Sequence, residues 1–170
     1  MKARIFVLMT CAVLLSVMPA TAQQVEVNYN HGVSFAQFHT YAWGSNNANQ
    51  IQNSILAQVA QQDIENAMAA KGFQKVAEAQ SPDLILTASG GERAQTSYNA
   101  WGMRGIGGGF GGITPQQNVE GTMVISIYNP KSQELLWRGI AQDTLTNNGN
   151  KNQQIVQKAI QKMFKQWPKS

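Results

Sequence analysis

Thiol and imidazole chemistry are nearly absent from this chain of 170 residues, which has one cysteine, Cys11, and two histidines, His31 and His39. A single cysteine cannot close an intrachain disulfide, so the fold must rest on its core, which a domain of about 150 residues can supply. Two isolated histidines do not provide the three or four convergent ligands of a metal site, since no His-x-x-x-His pair or acidic cluster joins them. No metal and no cofactor is expected. Charge is also sparse: charged residues make up 13% of the chain, and the formal net charge is +4. Like charges do not form blocks, and aromatics do not interleave with a basic stripe, so nucleic acid is not expected as a partner. A Gly-x-Ser-x-Gly elbow, a Ser/His/Asp context and a P-loop Gly-Lys-Ser/Thr are all missing.

What is present begins with an export pattern. Lys2 and Arg4 precede an apolar stretch, Ile5–Met18, and Ala20-Thr21-Ala22 forms a small-x-small cleavage site. The stretch falls short of the ~20 residues needed to span a bilayer. The expectation is a secretory signal over residues 1–22, removed to leave a single domain of residues 23–170 in the periplasm, without a transmembrane segment. Lipid anchoring at Cys11 is not expected, because the bulky Met9 spoils the lipobox and an apolar tail would remain on the mature chain. Without Lys2 and Arg4, eleven basic residues face nine acidic ones, an ordinary balance for a small domain.

Val25, Val27 and Tyr29 alternate with polar residues at strand period, and Asn30-His31-Gly32 follows as a turn. The aromatic stretch Phe35–Trp43 suits an irregular lead-in and a strand over His39–Trp43. A polar loop over Gly44–Gln50 precedes a helix over Ile51–Lys71, with Ile51, Ile55, Val59, Leu56, Ala60, Ile64, Ala67 and Met68 as its apolar stripe. Asn53 or Ser54 serves as N-cap, and Gly72 follows the last turn. Leu84-Ile85-Leu86-Thr87 is a continuous apolar run, the pattern of a strand covered on both faces and central in its sheet.

Residues Tyr98–Gly112 break the composition, with seven glycines among fifteen positions. Gly107, Gly109 and Gly112 match G-x-G-x-x-G formally, but no strand leads in and no helix follows before Pro115, so a dinucleotide site is not indicated. Glycine loses much backbone entropy on ordering, which predicts a loop over 98–112. Its aromatic and apolar residues, Tyr98, Trp101, Met103 and Phe110, are the candidate binding residues.

The clearest pattern is Glu120–Leu145, two strands joined at Asn129-Pro130-Lys131-Ser132. Met123, Ile125 and Ile127 share one face of the first strand, while Leu135, Trp137 and Gly139 share a face of the second. Both faces carry apolar groups, which predicts helices on one and a partly wet surface on the other. The last helix spans about Lys151 to Gln166, with Ile155, Val156, Ala159, Ile160, Met163, Phe164 and Trp167 on one side and Lys151, Lys158, Lys162 and Lys165 on the other. Such a stripe most simply packs on a sheet.

Several pieces in order resemble the DUF4136 family of bacterial cell-envelope domains of unknown function. They are Val25–Asn30, Phe35 to Trp43, the helix ending Lys71-Gly72-Phe73, Pro82-Asp83-Leu84, the glycine-aromatic insert, and Glu120-Gly121-Thr122 with Leu135-Leu136-Trp137-Arg138-Gly139. The resemblance implies an α+β domain, export, in many members a lipid anchor, and no known activity. This chain departs from it in lacking a convincing lipobox, and in having Asn28, Asn30, Ser126 and Asn129 where relatives often carry aspartates. Both Asn and Asp suit turns and edge strands.

The expected fold is α+β: a two-layer, mostly antiparallel sheet of about five strands with two helices packed on one face. The expected function is that of an exported, envelope-associated module, binding or structural and not catalytic, whose partner is another envelope protein or surface. The alternative is an envelope hydrolase built on carboxylates near the 120–145 hairpin, Glu120 and Asp143, with His39. That alternative requires these groups within hydrogen-bond reach in one cleft.

Overall fold

The computed structural model describes residues 23–44, 49–51, 53–102 and 111–168, with the backbone alone described at 49–50, 97–102 and 111–116. Strands β1 (Gln24–Tyr29), β2 (Thr40–Trp43) and β3 (Asn49–Ile51) precede helix α1 (Ser54–Ala70). Then come β4 (Gln74–Lys75), β5 (Leu84–Gly102), β6 (Gly111–Tyr128), β7 (Leu135–Leu145) and helix α2 (Gly149–Lys165). The strands form one sheet in the order β1-β7-β6-β5-β2-β4, with β3 also paired to β5.

The α+β class and the two helices agree with the sequence, but the sheet is mixed and has seven strands among the described residues. β1, β7, β6 and β5 pair antiparallel, whereas β2 and β3 run parallel to β5, and β4 runs parallel to β2. The unforeseen strands β3 and β4 are three and two residues long, too short to show a period. β5 lies between β6 and β2, the central place its apolar run predicts.

One face of the sheet is covered. Val27, Gly139, Ile125 and Ala88 form a row across four strands, and Tyr29, Trp137, Ile127, Leu86 and Trp43 form the next. These rows join one core cluster with Leu56, Ala60, Ile64 and Met68 of α1 and Val156, Ala159, Ile160, Met163 and Phe164 of α2. Burial of a Leu or Ile side chain in such a cluster contributes about 1.5–3 kcal/mol. Ile55, assigned to the stripe, is 60% exposed because α1 buries a narrower face than the pattern allowed. On the helix-free face Val124, Ile140, Ile85 and Tyr128 are half-buried. There Arg138 Nε donates to Ser126 Oγ at 3.3 Å.

Local chemistry sets the ends. Asn53 caps α1, its side-chain oxygen accepting from Ile55 N at 3.1 Å and Leu56 N at 3.2 Å, an interaction worth about 1 kcal/mol. α1 stops where Gly72 adopts φ +89° and the Phe73 N–H returns to the Met68 carbonyl at 3.1 Å. A left-handed residue at this position favours glycine. Asn148 caps α2 by accepting from Lys151 N. The β6–β7 turn is held by Asn129, whose side chain accepts from Lys131 N at 2.9 Å.

Candidate functional site

β5 and β6 are far longer than their neighbours. They pair without a break from Ile85–Tyr128 to Gly102–Gly111. β7 leaves β6 at the Val119–Leu145 pair, and β3 leaves β5 at Gly90–Ile51. From Gln95–Asn118 outward, among the described residues, the two strands pair only with each other over eight register positions. At ~3.3 Å per residue this two-stranded arm reaches roughly 25 Å beyond the sheet. Pro115, opposite Tyr98, lies in this outer part. Proline lacks an amide donor and is confined to edges, and here β6 has become an edge.

The arm corrects the expected loop over 98–112. Positions 98–102 and 111–112 are ladder residues, so Tyr98 and Trp101 sit on strand backbone, while Met103 and Phe110 lie outside the described residues. The glycines concealed a strand because ladder hydrogen bonds, and not side chains, hold these positions extended.

The root of the arm carries acids. Gly121 pairs with Glu92 on one side and Asp143 on the other. Both acids edge a small apolar cavity of about 60 Å³, floored by Met123 and Val156 and walled by Ile51 and Leu56. Glu120 pairs with Thr144, one residue out of step with Asp143, so Glu120 and Asp143 point to opposite faces of the sheet. Glu120 accepts from the side-chain amide of Gln95. His39 stands before β2, at the other end of the sheet, and His31 lies there too, 4.2 Å from the ring of Tyr29. The structure therefore does not bring Glu120, Asp143 and His39 into one cleft.

Polar anchors that sequence reasoning missed lie near β2. Asp83 Oδ2 accepts from the His39 and Thr40 amides, both at 2.9 Å, and from Thr40 Oγ1 at 3.0 Å. The Asp83 N–H donates back to Thr40 Oγ1 at 3.0 Å. The His39 and Thr40 amides hold its carboxyl below the usual carboxylate range. This support is complete above the unfolded-state value and is lost as pH falls through the lower folded value. Burial alone would raise the Glu65 carboxyl, but bonds from Lys75 at 2.5 Å, Gln61 at 3.1 Å and Trp43 at 2.9 Å outweigh it and hold it low. Burial, with Glu65 nearby, pushes the Tyr41 phenol up to about 12. The signal for Asp83 was its place between Pro82 and the apolar run.

Asp63 behaves oppositely. Burial lifts its carboxyl above the usual range, a hydrogen bond with Gln157 offsets this in part, and Oδ2 is buried without a partner. A raised folded-state value means that stability is fullest below the unfolded value and falls as pH rises through the folded one. Asp63→Asn removes the buried charge but leaves a polar atom at the unpartnered position, and is expected to raise stability at neutral pH by less than about 1 kcal/mol. Thermal melts at neutral and acid pH check this, since the gain must shrink in acid.

The family model for a domain of unknown function, DUF4136, matches residues 25–169. The chain belongs to this family. The DUF4136 match takes in every strand from Val25 onward and both helices, so the arm and its root are part of the domain. Among curated protein sequences, none matches the chain. Two of the solved structures that match share the DUF4136 chain's architecture. A PDZ domain protein from Parabacteroides distasonis is 18% identical with a TM-score of 0.57, aligned over 87% of this chain and 36% of its own, so this domain spans about a third of that chain. The PelC dodecamer from Paraburkholderia phytofirmans is 12% identical with a TM-score of 0.51, aligned over 84% of this chain and 95% of its own. At these identities the likeness is one of fold.

Proposed function

We propose that this DUF4136 protein is exported to the periplasm and serves the cell envelope as a non-catalytic binding module, with the β5–β6 arm engaging another envelope protein. One observation carries the reading: the arm runs eight paired positions past every other described strand. Two-stranded ribbons are marginal alone in water, and both edges of this one offer backbone donors and acceptors to an added strand. Export is supported by the basic start, the apolar Ile5–Met18 and Ala20-Thr21-Ala22. Among the described residues no helix is long and apolar enough to cross a membrane. The opposite facing of Glu120 and Asp143 speaks against hydrolysis at the hairpin.

A photoreactive residue placed at Trp101 in intact cells is expected to cross-link one envelope protein, identified by mass spectrometry. The same residue at Lys158, on α2, serves as the control. Equal adducts from both positions, or none from position 101, would refute the reading.

A further inference from the structure

The end of the molecule opposite the arm carries a groove of about 470 Å³, within the size range of small-molecule sites. It lies where the C-termini of α1 and α2 meet the short 3₁₀ turn Phe35–Gln37. Aromatic rings line it. Buried Phe35 and Phe73 meet Trp167 edge-on at centroid distances of 5.2 and 5.5 Å. Trp167 is held by Phe164, stacked at 5.7 Å, and by Trp137 at 5.4 Å, and is half-buried. Phe38, also half-buried, meets Phe35 edge-on at 6.2 Å.

Cations line the same groove. Lys71 and Lys165 are exposed, and among the described residues the one ion pair is that of Lys75 with Glu65. Each lysine complements the dipole of the helix it ends, but the dipole does not account for both meeting on one aromatic surface. Gly72 adds open backbone, since a Cβ there would meet nothing within 4 Å.

We propose that this groove binds a carboxylated sugar ring of the uronic acid type. The solvent-facing parts of the half-buried Phe38 and Trp167 rings pack against the C–H face of a pyranose, and the two lysine ammonium groups lining the groove attract a carboxylate as point charges. Most carbonyls of the two last turns already accept, Ala67, Met68 and Ala69 in α1 and Lys162, Met163 and Phe164 in α2, and those of Ala70 and Lys165 are left to accept from sugar hydroxyls. The helix C-terminal dipoles oppose any anion, a dianion more than a monoanion, and the two lysines offset this for a single carboxylate. Charge and hydroxyl chemistry together therefore select an acidic sugar over a phosphate and over a neutral sugar.

The test titrates the purified protein with glucuronate, glucose and inorganic phosphate, following the assigned Trp167 indole resonance. Glucuronate is expected to shift it and to bind about tenfold more tightly than glucose. Lys71→Gln/Lys165→Gln is expected to remove about that tenfold advantage while leaving glucose binding unchanged and lowering the melting temperature by no more than a few degrees. Phosphate binding as tightly as glucuronate, equal binding of both sugars, or no response at Trp167 would overturn the assignment.

Discussion

Gly139→Ala is expected to destabilise the protein by about 1–3 kcal/mol, the scale of overpacking a well-filled core. A Cβ at position 139 would stand 2.6 Å from Met163 Sδ, 2.7 Å from Trp137 Cη2 and 3.1 Å from Met163 Cγ. Neither neighbour has room to withdraw, since Trp137 and Met163 are both 0% exposed. Strand preference argues the other way, because alanine in a strand interior normally gains roughly 0.5–1 kcal/mol over glycine. The two effects have opposite signs, so denaturant unfolding of the single variant decides between them. A midpoint equal to or above that of the parent would refute the packing account. Trp137→Phe removes the Cη2 atom, so Gly139→Ala should be less damaging in that background, and a double-mutant cycle measures the difference.

Shortening the arm is expected to abolish partner capture while leaving the domain folded. Replacing residues 95–118 by a tight turn removes the eight pairs that no third strand supports. The core cluster draws on Ala88 and Met123 at the arm's root and on no described residue between them. The unfolding midpoint should therefore stay within a few degrees of the parent, a shift corresponding to about 1 kcal/mol at this chain length. The shortened protein should give no cross-linked adduct beyond background. Retained capture would move the interaction to another surface, and loss of folding would show that the arm packs on the domain.

The parts legible in the sequence are those in which one residue type repeats at a structural period. Met123, Ile125 and Ile127 alternate against Trp137, and the 120–145 hairpin forms as expected. The apolar stripe of α2 is buried at Val156, Ala159, Ile160, Met163 and Phe164. Ile55 misled because hydrophobicity at the right spacing does not tell the middle of a helical stripe from its margin. The arm was hidden for another reason: β5 beyond Gly91 is polar and β6 begins with glycines, so the ladder shows no alternation. Tyr98 and Trp101 lie on strand backbone where a loop was expected. The groove could not be read at all, since Phe38, Lys71 and Trp167 are brought together only by the tertiary fold.

The edges of the arm, which no third described strand covers, have a second consequence. Any backbone able to accept a partner's strand is equally a template for uncontrolled polymerisation of the chain with itself. The arm holds two groups that oppose this, Pro115 in its outer part and the charged pair of positions Arg93 and Glu120 at its base. A proline interrupts the row of amide donors, and charged side chains oppose the stacking of like strands. Gatekeeping of this kind would let the proposed partner's strand add to the arm while opposing growth of the free protein into fibrils.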